Sequence, residues 1–171
     1  EQGLLRSLVE VPGQVSLGPE NAYTLRGRAD RIDVKADGRL IVLDYKGSQP
    51  TAEQARRLLA PQLALEAMVA QAGGFENLPA ANVQDLLFVR LKPGADFKAE
   101  NIAWKNRKHV VEPQDLISAA ARQFHALLTA FHNPATPYRS RTRPQWSAYD
   151  GDYDHLARAA EWGAALYGGE G

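Results

Sequence analysis

Residues 39–46 constrain the fold of this chain more than any other segment. The segment contains the apolar run 40–43 and ends in the partly charged Asp44-Tyr45-Lys46. A short apolar run of this kind, preceded by a turn, is typical of a buried β-strand. A buried strand requires a sheet with covering layers, and the other segments of the chain predict both.

Strand and helix signals alternate along the chain. Strands are predicted at residues 14–17, 23–35, 39–46, 83–91 and 101–104, and helices at residues 51–59, 61–71, 113–132 and 153–166. Thr51 and Gln54 form a capping-box pattern, while residues 4–11 fit either a short helix or a strand. This order predicts an α/β or α+β fold, a central mixed sheet flanked by helices, in a single domain over residues 1–171.

The composition excludes several kinds of site. The 171 residues contain no cysteine, which excludes disulfides, thiolate zinc sites, iron–sulfur clusters held by cysteine and cysteine nucleophiles in this chain. The 20 basic and 20 acidic residues give zero net charge, so nucleic-acid binding must depend on local patches, a bound metal or a partner subunit. No apolar run is long enough for a transmembrane helix, and we expect a cytoplasmic protein without membrane contacts.

Asp44, Tyr45 and Lys46 carry the first chemical signal. Side chains alternate between the faces of a strand, so Asp44 and Lys46 share one face while Tyr45 points the other way, into packing. A carboxylate can hold a hard divalent cation, and a nearby lysine can position or help deprotonate water and offset developing charge. This pairing suits phosphodiester hydrolysis. An Asp-x-Lys pattern alone also fits an exposed hairpin with ordinary surface charges.

A second carboxylate comes from the preceding strand, and the hairpin register decides which one. If residues 36–38 form a three-residue loop, Asp30 lies opposite Asp44. A two-residue turn at residues 37–38 would instead place Asp33 on that face. We favour the three-residue loop. Two opposed carboxylates repel one another unless a cation lies between them.

Three further positions adjoin this constellation. Gln62 lies at the start of a predicted helix, and Glu66 shares its face one turn later. Glu66 either reaches the site or is solvated, and we favour the solvated position. Gly27, on the strand of Asp30, leaves room for close approach by a ligand or another strand.

In order and spacing, these residues resemble the RecB-like branch of the PD-(D/E)XK nucleases. That branch shows a Gly-x-x-Asp strand, an Asp-Tyr-Lys strand and a downstream Gln-x-x-x-Tyr helix, which Gly27-x-x-Asp30, residues 44–46 and Gln62 match. Residues 61–67 and 153–162 further resemble the C-terminal nuclease domain of AddB-type subunits. These belong to AddAB helicase–nucleases, which process double-strand breaks for recombination. The resemblance implies a restriction-endonuclease-like core.

The resemblance also implies a role for each matching residue. Asp30 and Asp44 would be metal ligands, with the carbonyl of Tyr45 completing the shell. Lys46 would be the catalytic lysine, and Gln62 would orient the lysine, the water or the DNA. The expected cofactor is Mg²⁺, with Mn²⁺ able to substitute, and no iron–sulfur cluster is expected. The expected substrate is single-stranded DNA unwound by an AddA-type helicase–nuclease partner.

Three departures from the family pattern are visible. Gly47 replaces the usual Thr after the lysine, and Glu66 replaces the Tyr of the helical motif. Many members carry a metal-binding His on an upstream helix, but no His precedes His109. The chain begins without an initiator Met or a signal-peptide pattern. We therefore expect it to be part of a longer protein, with that helix outside the present sequence.

Arginines are the candidate DNA contacts. Arg28 lies two residues before Asp30, and Arg139, Arg141 and Arg143 form an alternating basic stretch. Arginine contacts phosphates, so the stretch could guide single-stranded DNA. The alternatives are a solvated linker or a strip that pairs with the acidic Asp150, Asp152 and Asp154.

We predict a metal-dependent deoxyribonuclease domain of a helicase–nuclease complex. One alternative is a different RecB-like exonuclease. The other is a DNA-binding or scaffolding domain that keeps the fold without catalysis.

Overall fold

The computed structural model describes residues 3–47, 49–91, 97–105 and 110–137. The chain divides into two compact units, residues 1–132 and residues 133–171. All described helices and strands belong to the first unit. The described part of the second unit is a turn, in which the backbone N–H of Ala135 donates to Asn133 Oδ1 at 3.0 Å. The expectation of a single domain over the whole chain stays a prediction.

Five strands form the main sheet, in the order β1-β2-β3-β4-β5. The strands are β1 (Leu4–Leu17), β2 (Tyr23–Lys35), β3 (Leu40–Lys46), β4 (Val83–Arg90) and β5 (Lys98–Asn101). Neighbouring strands pair antiparallel, except that β3 and β4 pair parallel. The sheet is therefore mixed, and the predicted α/β layout is confirmed.

The first two strands form a long hairpin around a short 3₁₀ turn at Pro19–Asn21. Residues 4–11, which fitted either a helix or a strand, belong to β1 because they pair with β2. The strand predicted at residues 14–17 is thus one end of a 14-residue strand. Glu10 has a φ of 52°, and the regular pairing of the two strands is interrupted here, opposite Asp30.

The loop between β2 and β3 sets the register of the candidate site. The backbone N–H of Lys35 donates to the carbonyl of Arg39 at 2.9 Å, which closes a loop of three residues. Gly38 has a φ of 81°, the left-handed conformation that such a loop requires. Asp33 pairs with Ile41. The predicted three-residue register is therefore confirmed, and the two-residue alternative is wrong.

Two helices connect β3 to β4, since parallel strands need a crossover. The first is α1 (Ala52–Arg56), and it begins with the predicted capping box. Thr51 Oγ1 accepts the backbone N–H of Gln54 at 3.2 Å, and Gln54 Oε1 accepts that of Thr51 at 2.8 Å. The helix ends before the predicted residue 59, because Leu58 has a φ of 55°, outside the helical region.

The second crossover helix, α2 (Gln62–Gln71), follows Pro61 and packs against α3 (Pro113–His132). Both helices also contact β4. The apolar side chains of α3 are fully buried only near its start, because Leu116 and Ala120 are buried whereas Leu127 is 51% exposed. None of the described helices combines the length and apolar character needed to cross a membrane.

After β5 the chain turns earlier than the sequence predicts. The strand predicted at residues 101–104 is misplaced, since β5 ends at Asn101. Asn101 Oδ1 accepts the backbone N–H of Ala103 at 3.0 Å, a side-chain contact that bends the backbone. A separate two-stranded ribbon follows, made of β6 (Trp104–Lys105) and β7 (Val110–Val111).

The hydrophobic core draws on β1 to β4, all three helices and the turn after β5. Its largest fully buried apolar side chains are Ile32, Leu40, Val42, Leu63, Leu86, Phe88 and Ile102. In the apolar run of β3, Leu40, Val42 and Leu43 are buried as predicted, and Ile41 is half-buried. The same strand continues into Asp44, which is 1% exposed, so β3 carries a carboxylate into the core.

Candidate active site

Asp44 and Lys46 lie at the C-terminal end of β3, and their side chains meet on one face. Lys46 Nζ is 3.0 Å from Asp44 Oδ2. This oxygen nevertheless receives no hydrogen bond of good geometry from the described residues, although Asp44 is almost fully buried. A buried carboxylate oxygen costs free energy unless another group completes its surroundings.

Asp30 directly adjoins the last pair of β2 and β3, Arg31 with Leu43, and its carboxyl group is close enough to that of Asp44 to interact with it. Asp30 Oδ2 accepts the backbone N–H of Tyr45 at 2.8 Å, which fixes this carboxylate against the end of β3. The structure thus brings two predicted metal ligands and the predicted catalytic lysine to one face of the sheet.

Asp33 lies on the other face, as the register requires. Its carboxylate accepts hydrogen bonds from Ser7 Oγ at 2.6 Å and from Arg31 at 2.7 and 2.9 Å. These contacts, together with Tyr45, raise the pKa of Arg31. The expectation that Tyr45 points into packing is wrong: the residue is 38% exposed, and its side chain interacts electrostatically with Arg31. The metal-binding role of the Tyr45 carbonyl stays a prediction.

A chain of polar contacts links Lys46 to α2. Lys46 Nζ donates to Gln62 Oε1 at 3.1 Å, and Gln62 Nε2 donates to Glu66 Oε1 at 2.9 Å. An amide has a donor end and an acceptor end. Because Glu66 takes the donor end, the acceptor end of Gln62 faces Lys46. Of the three partners expected for Gln62, namely the lysine, the water and the DNA, the structure places it beside the lysine.

Glu66 contradicts the expectation that it is solvated. The residue is 8% exposed, and its Oε2 has no hydrogen-bond partner within the described ranges. The physical reason is that α2 is enclosed on several sides, since Leu63, Ala67 and Ala70 are also buried. Glu66 is a site residue that the sequence analysis did not favour.

Two carboxyl groups of the site have raised pKa values. Burial raises the pKa of Glu66 to about 7, with the negative charges of Asp44 and Asp30 adding to the effect and the hydrogen bond from Gln62 opposing it. Burial also raises the pKa of Asp44 to about 6, opposed by Lys46 and increased by Asp30. Carboxyl groups perturbed by burial and by specific charged neighbours are typical of functional sites.

The donor set fits a divalent cation for which the protein supplies only some of the ligands. Among the residues that the structure describes, no three His, Cys, Asp or Glu side chains are grouped so as to hold a metal ion. Magnesium does not need such a cage, because one or two carboxylates, several waters and substrate phosphates usually suffice. The unsatisfied Asp44 Oδ2 and the adjacent Asp30 carboxylate fit that partial set of ligands.

Open space adjoins the site at Gly27. A Cβ atom there would meet nothing within 4 Å, which confirms the predicted room. Arg28 is exposed and forms an ion pair with Glu10 at 3.5 Å, so its role as a DNA contact stays a prediction. Arg139, Arg141 and Arg143 lie outside the described residues, as does the helix predicted at residues 153–166.

Comparison with known proteins identifies a family. The family model described as the PD-(D/E)XK nuclease superfamily matches residues 3–150. Proteins of this superfamily are generally nucleases and typically use divalent metal ions. A search of curated proteins finds no match.

Proposed function

Because the chain belongs to the PD-(D/E)XK nuclease superfamily, we propose that it hydrolyses phosphodiester bonds of DNA with the help of a divalent cation. The observation that carries this proposal is Asp44, a buried carboxylate with an unsatisfied oxygen 3.0 Å from Lys46 Nζ. In a purely structural role, a buried carboxylate with an unsatisfied oxygen destabilises the fold, whereas a cation site requires such an oxygen as a ligand.

Asp30 and Asp44 would hold the cation, with the backbone carbonyl of Tyr45 as a further ligand. An oxygen-only donor set favours a hard cation, so we propose Mg²⁺, with Mn²⁺ able to substitute. The cation supplies positive charge that stabilises negative charge developing on the phosphate oxygens.

Lys46 is the side chain that would meet the substrate. An ammonium group has three N–H donors. Asp44 Oδ2 and Gln62 Oε1 lie 3.0 and 3.1 Å from Lys46 Nζ. Gln62 Oε1 takes one donor, and the contact with Asp44 Oδ2 is an ion pair without hydrogen-bond geometry. Within the described part of the chain, at least one donor of Lys46 therefore remains for the attacking water or a phosphate oxygen. The water oxygen would bond to phosphorus and lose a proton to solvent, while the bond to the leaving ester oxygen breaks and that oxygen takes up a proton from solvent. Lys46 would offset the negative charge that develops on the phosphate during this exchange.

Gln62 and Glu66 would keep Lys46 in this position. Gln62 Oε1 fixes the ammonium from the side of α2, and Glu66 fixes the amide of Gln62. Fixed orientation matters because a displacement of about 1 Å at a reacting group can lower the rate roughly 100-fold.

The finer role we propose is processing of single-stranded DNA during double-strand break repair and recombination, in the cytoplasm and beside an AddA-type helicase–nuclease partner. It rests on the resemblance of residues 61–67 and 153–162 to AddB-type nuclease domains. Zero net charge supports it, since a domain without net positive charge benefits from a partner that delivers the DNA. Arg28, Arg139, Arg141 and Arg143 would contact phosphates along the strand.

The proposal is tested by cleavage of end-labelled single-stranded DNA with Mg²⁺, with Mn²⁺ and with EDTA. We expect metal-dependent cleavage by the parent chain and a loss of roughly 100-fold or more in Asp44→Asn and Lys46→Met. The first variant removes a charge at nearly constant shape, and the second removes the ammonium but keeps most of the stem.

Asp33→Asn is the matched control, because it makes the same chemical change on the opposite face of the sheet. It should cleave at the parental rate. Equal cleavage by the parent and both site variants would place the chemistry elsewhere. DNA binding without any metal requirement and without cleavage would favour the scaffolding alternative, and the same assay on a chain extended upstream would then test whether the domain is incomplete.

A further inference from the structure

A cavity of about 200 Å³ opens beside Gln62 and Glu66, between β2 and α2. Its walls include four apolar side chains, and two arginines from β2 also line it. The apolar residues are Leu25, Leu65, Val69 and Phe75, and the arginines are Arg26 and Arg28. Gln62 belongs to both the cavity and the active site, since its Oε1 is 3.1 Å from Lys46 Nζ. The cavity is therefore one side chain away from the proposed reacting phosphate.

Gly27 lines this cavity and leaves it open. Neither steric crowding nor the backbone conformation requires a glycine at this position. A Cβ at Gly27 would meet no atom within 4 Å, and its φ is not left-handed. Two neighbouring glycines differ, because a Cβ at Gly13 would strike the ring of Phe75 and one at Gly74 would strike the carbonyl of Gln14. Glycine weakens a strand interior and often marks a place where a ligand approaches closely. What Gly27 provides is space beside the site.

We propose that this cavity receives one unpaired nucleobase of the DNA strand that is cut, an inference that rests on the nuclease function proposed for the chain. The volume is below the roughly 300–1,000 Å³ of pockets for drug-sized ligands, which suits a single ring system. Apolar walls match the faces of a base, and arginines match the phosphates on either side of it. A sugar or a phosphate alone would leave the apolar walls without a complementary partner.

The pocket would make the nuclease cleave single strands faster than duplexes. A base can enter a protein pocket only after it has left its stack and its partner. In a duplex, unstacking and unpairing the base require free energy before cleavage, whereas an unwound strand presents the base directly. Selection for single-stranded DNA would then arise within this domain and would not depend only on a helicase partner.

The test uses oligonucleotides in which one abasic nucleotide is moved through successive positions of a single strand. The parent should show a kcat/KM that is roughly 5- to 100-fold lower when the abasic nucleotide occupies one fixed position relative to the cleaved bond. Gly27→Leu, which fills the cavity, should lower cleavage of the intact strand by a similar factor and should no longer respond to the abasic nucleotide. Ser16→Leu adds a leucine at an exposed position of β1, outside the cavity, and should keep the parental pattern.

Binding measured by fluorescence anisotropy in EDTA separates the two proposals. The base pocket is refuted, and the nuclease function kept, if the parent cleaves every abasic strand at the same rate. The same conclusion follows if cleavage by Gly27→Leu depends on the abasic position as strongly as cleavage by the parent. The opposite result is also possible: the parent binds the intact strand more tightly than the abasic strand, Gly27→Leu abolishes this preference, and no metal condition gives cleavage. That result supports the pocket and refutes the nuclease function. Because Gly27→Leu fills empty space, we expect its Tm to be no lower than that of the parent, so lost discrimination would not reflect unfolding.

Discussion

Replacing Glu66 with Gln should stabilise the metal-free protein at neutral pH but not at acid pH. Burial raises the pKa of Glu66 from its ordinary 4.5 to about 7, so the folded protein binds this proton more tightly than the unfolded chain. The stability that the proton contributes is fully present below pH 4.5, falls as the pH rises, and is gone above about pH 7. Gln cannot ionise, and its side-chain oxygen can still accept the hydrogen bond from Gln62 Nε2.

The size of the effect follows from the pKa difference. A difference of about 2.5 pKa units, at about 1.36 kcal/mol per unit, corresponds to roughly 3 kcal/mol of unfolding free energy. Solvent screening reduces this little, because Glu66 is 8% exposed. The variant should therefore match the parent near pH 4.5 and exceed its stability by roughly 3 kcal/mol at pH 7.5.

The assay is urea unfolding followed by circular dichroism at several pH values between 4.5 and 8, with EDTA present. Asp44, whose pKa is also raised, is present in both proteins, so its contribution largely cancels in the comparison. Glu53→Gln is the control, because it makes the same chemical change at a side chain that is 66% exposed. A Glu66→Gln difference that does not change with pH would refute the reasoning, since it would mean that the Glu66 carboxylate is not penalised by burial.

Three further substitutions test the fold and the register. Leu86→Ala, at a fully buried position of β4, should lower the unfolding free energy by roughly 2–5 kcal/mol in urea titrations, and a loss below roughly 1 kcal/mol would mean that the site repacks or is not in the core. Thr51→Ala removes the capping box of α1 and should cost roughly 1 kcal/mol, seen as a lower Tm; an unchanged Tm would contradict the cap. Asp33→Ala leaves Arg31 without its carboxylate partner and should cost roughly 1–3 kcal/mol with DNA cleavage unchanged, whereas lost cleavage would place Asp33 in the site.

The geometry of the two carboxylates could be predicted because it depends on local chain properties. The parity of a hairpin follows from its loop length, and Gly38 supplies the left-handed residue that a three-residue loop needs. Alternation along β3 then places Asp44 and Lys46 on one face. The identity of the opposing carboxylate, Asp30 and not Asp33, follows from these two facts alone.

Glu66 was misjudged although the sequence carried a usable signal. It is the single charged residue of α2 (Gln62–Gln71), whose other residues are apolar or neutral. A helix that is apolar all round is buried on most sides, so a charge within it cannot simply face solvent. Judged by residue type, Glu66 belongs on the surface; judged by its helix, it belongs in the interior beside Gln62.

Other features depend on partners that the sequence does not specify. Residues 4–11 show neither a clear helical nor a clear strand period, and they become a strand because β2 is long enough to pair with them. The exposure of Tyr45 likewise depends on tertiary context, in which its side chain interacts with Arg31 of the neighbouring strand. Tertiary context decides both, since strand preference reflects packing against neighbours more than intrinsic tendency.

The parallel pairing of β3 with β4 explains why the lysine and the helix residues meet. A parallel neighbour requires a crossover, and the crossover that leaves β3 after Lys46 contains α2, whose Gln62 contacts the lysine. The carboxylates Asp30 and Asp44 depend instead on the antiparallel hairpin of β2 and β3. The site therefore has two structural supports, one for the cation ligands and one for the lysine. A change confined to the crossover should misplace Lys46 while leaving the two carboxylates opposed, so DNA cleavage would fall more than metal affinity.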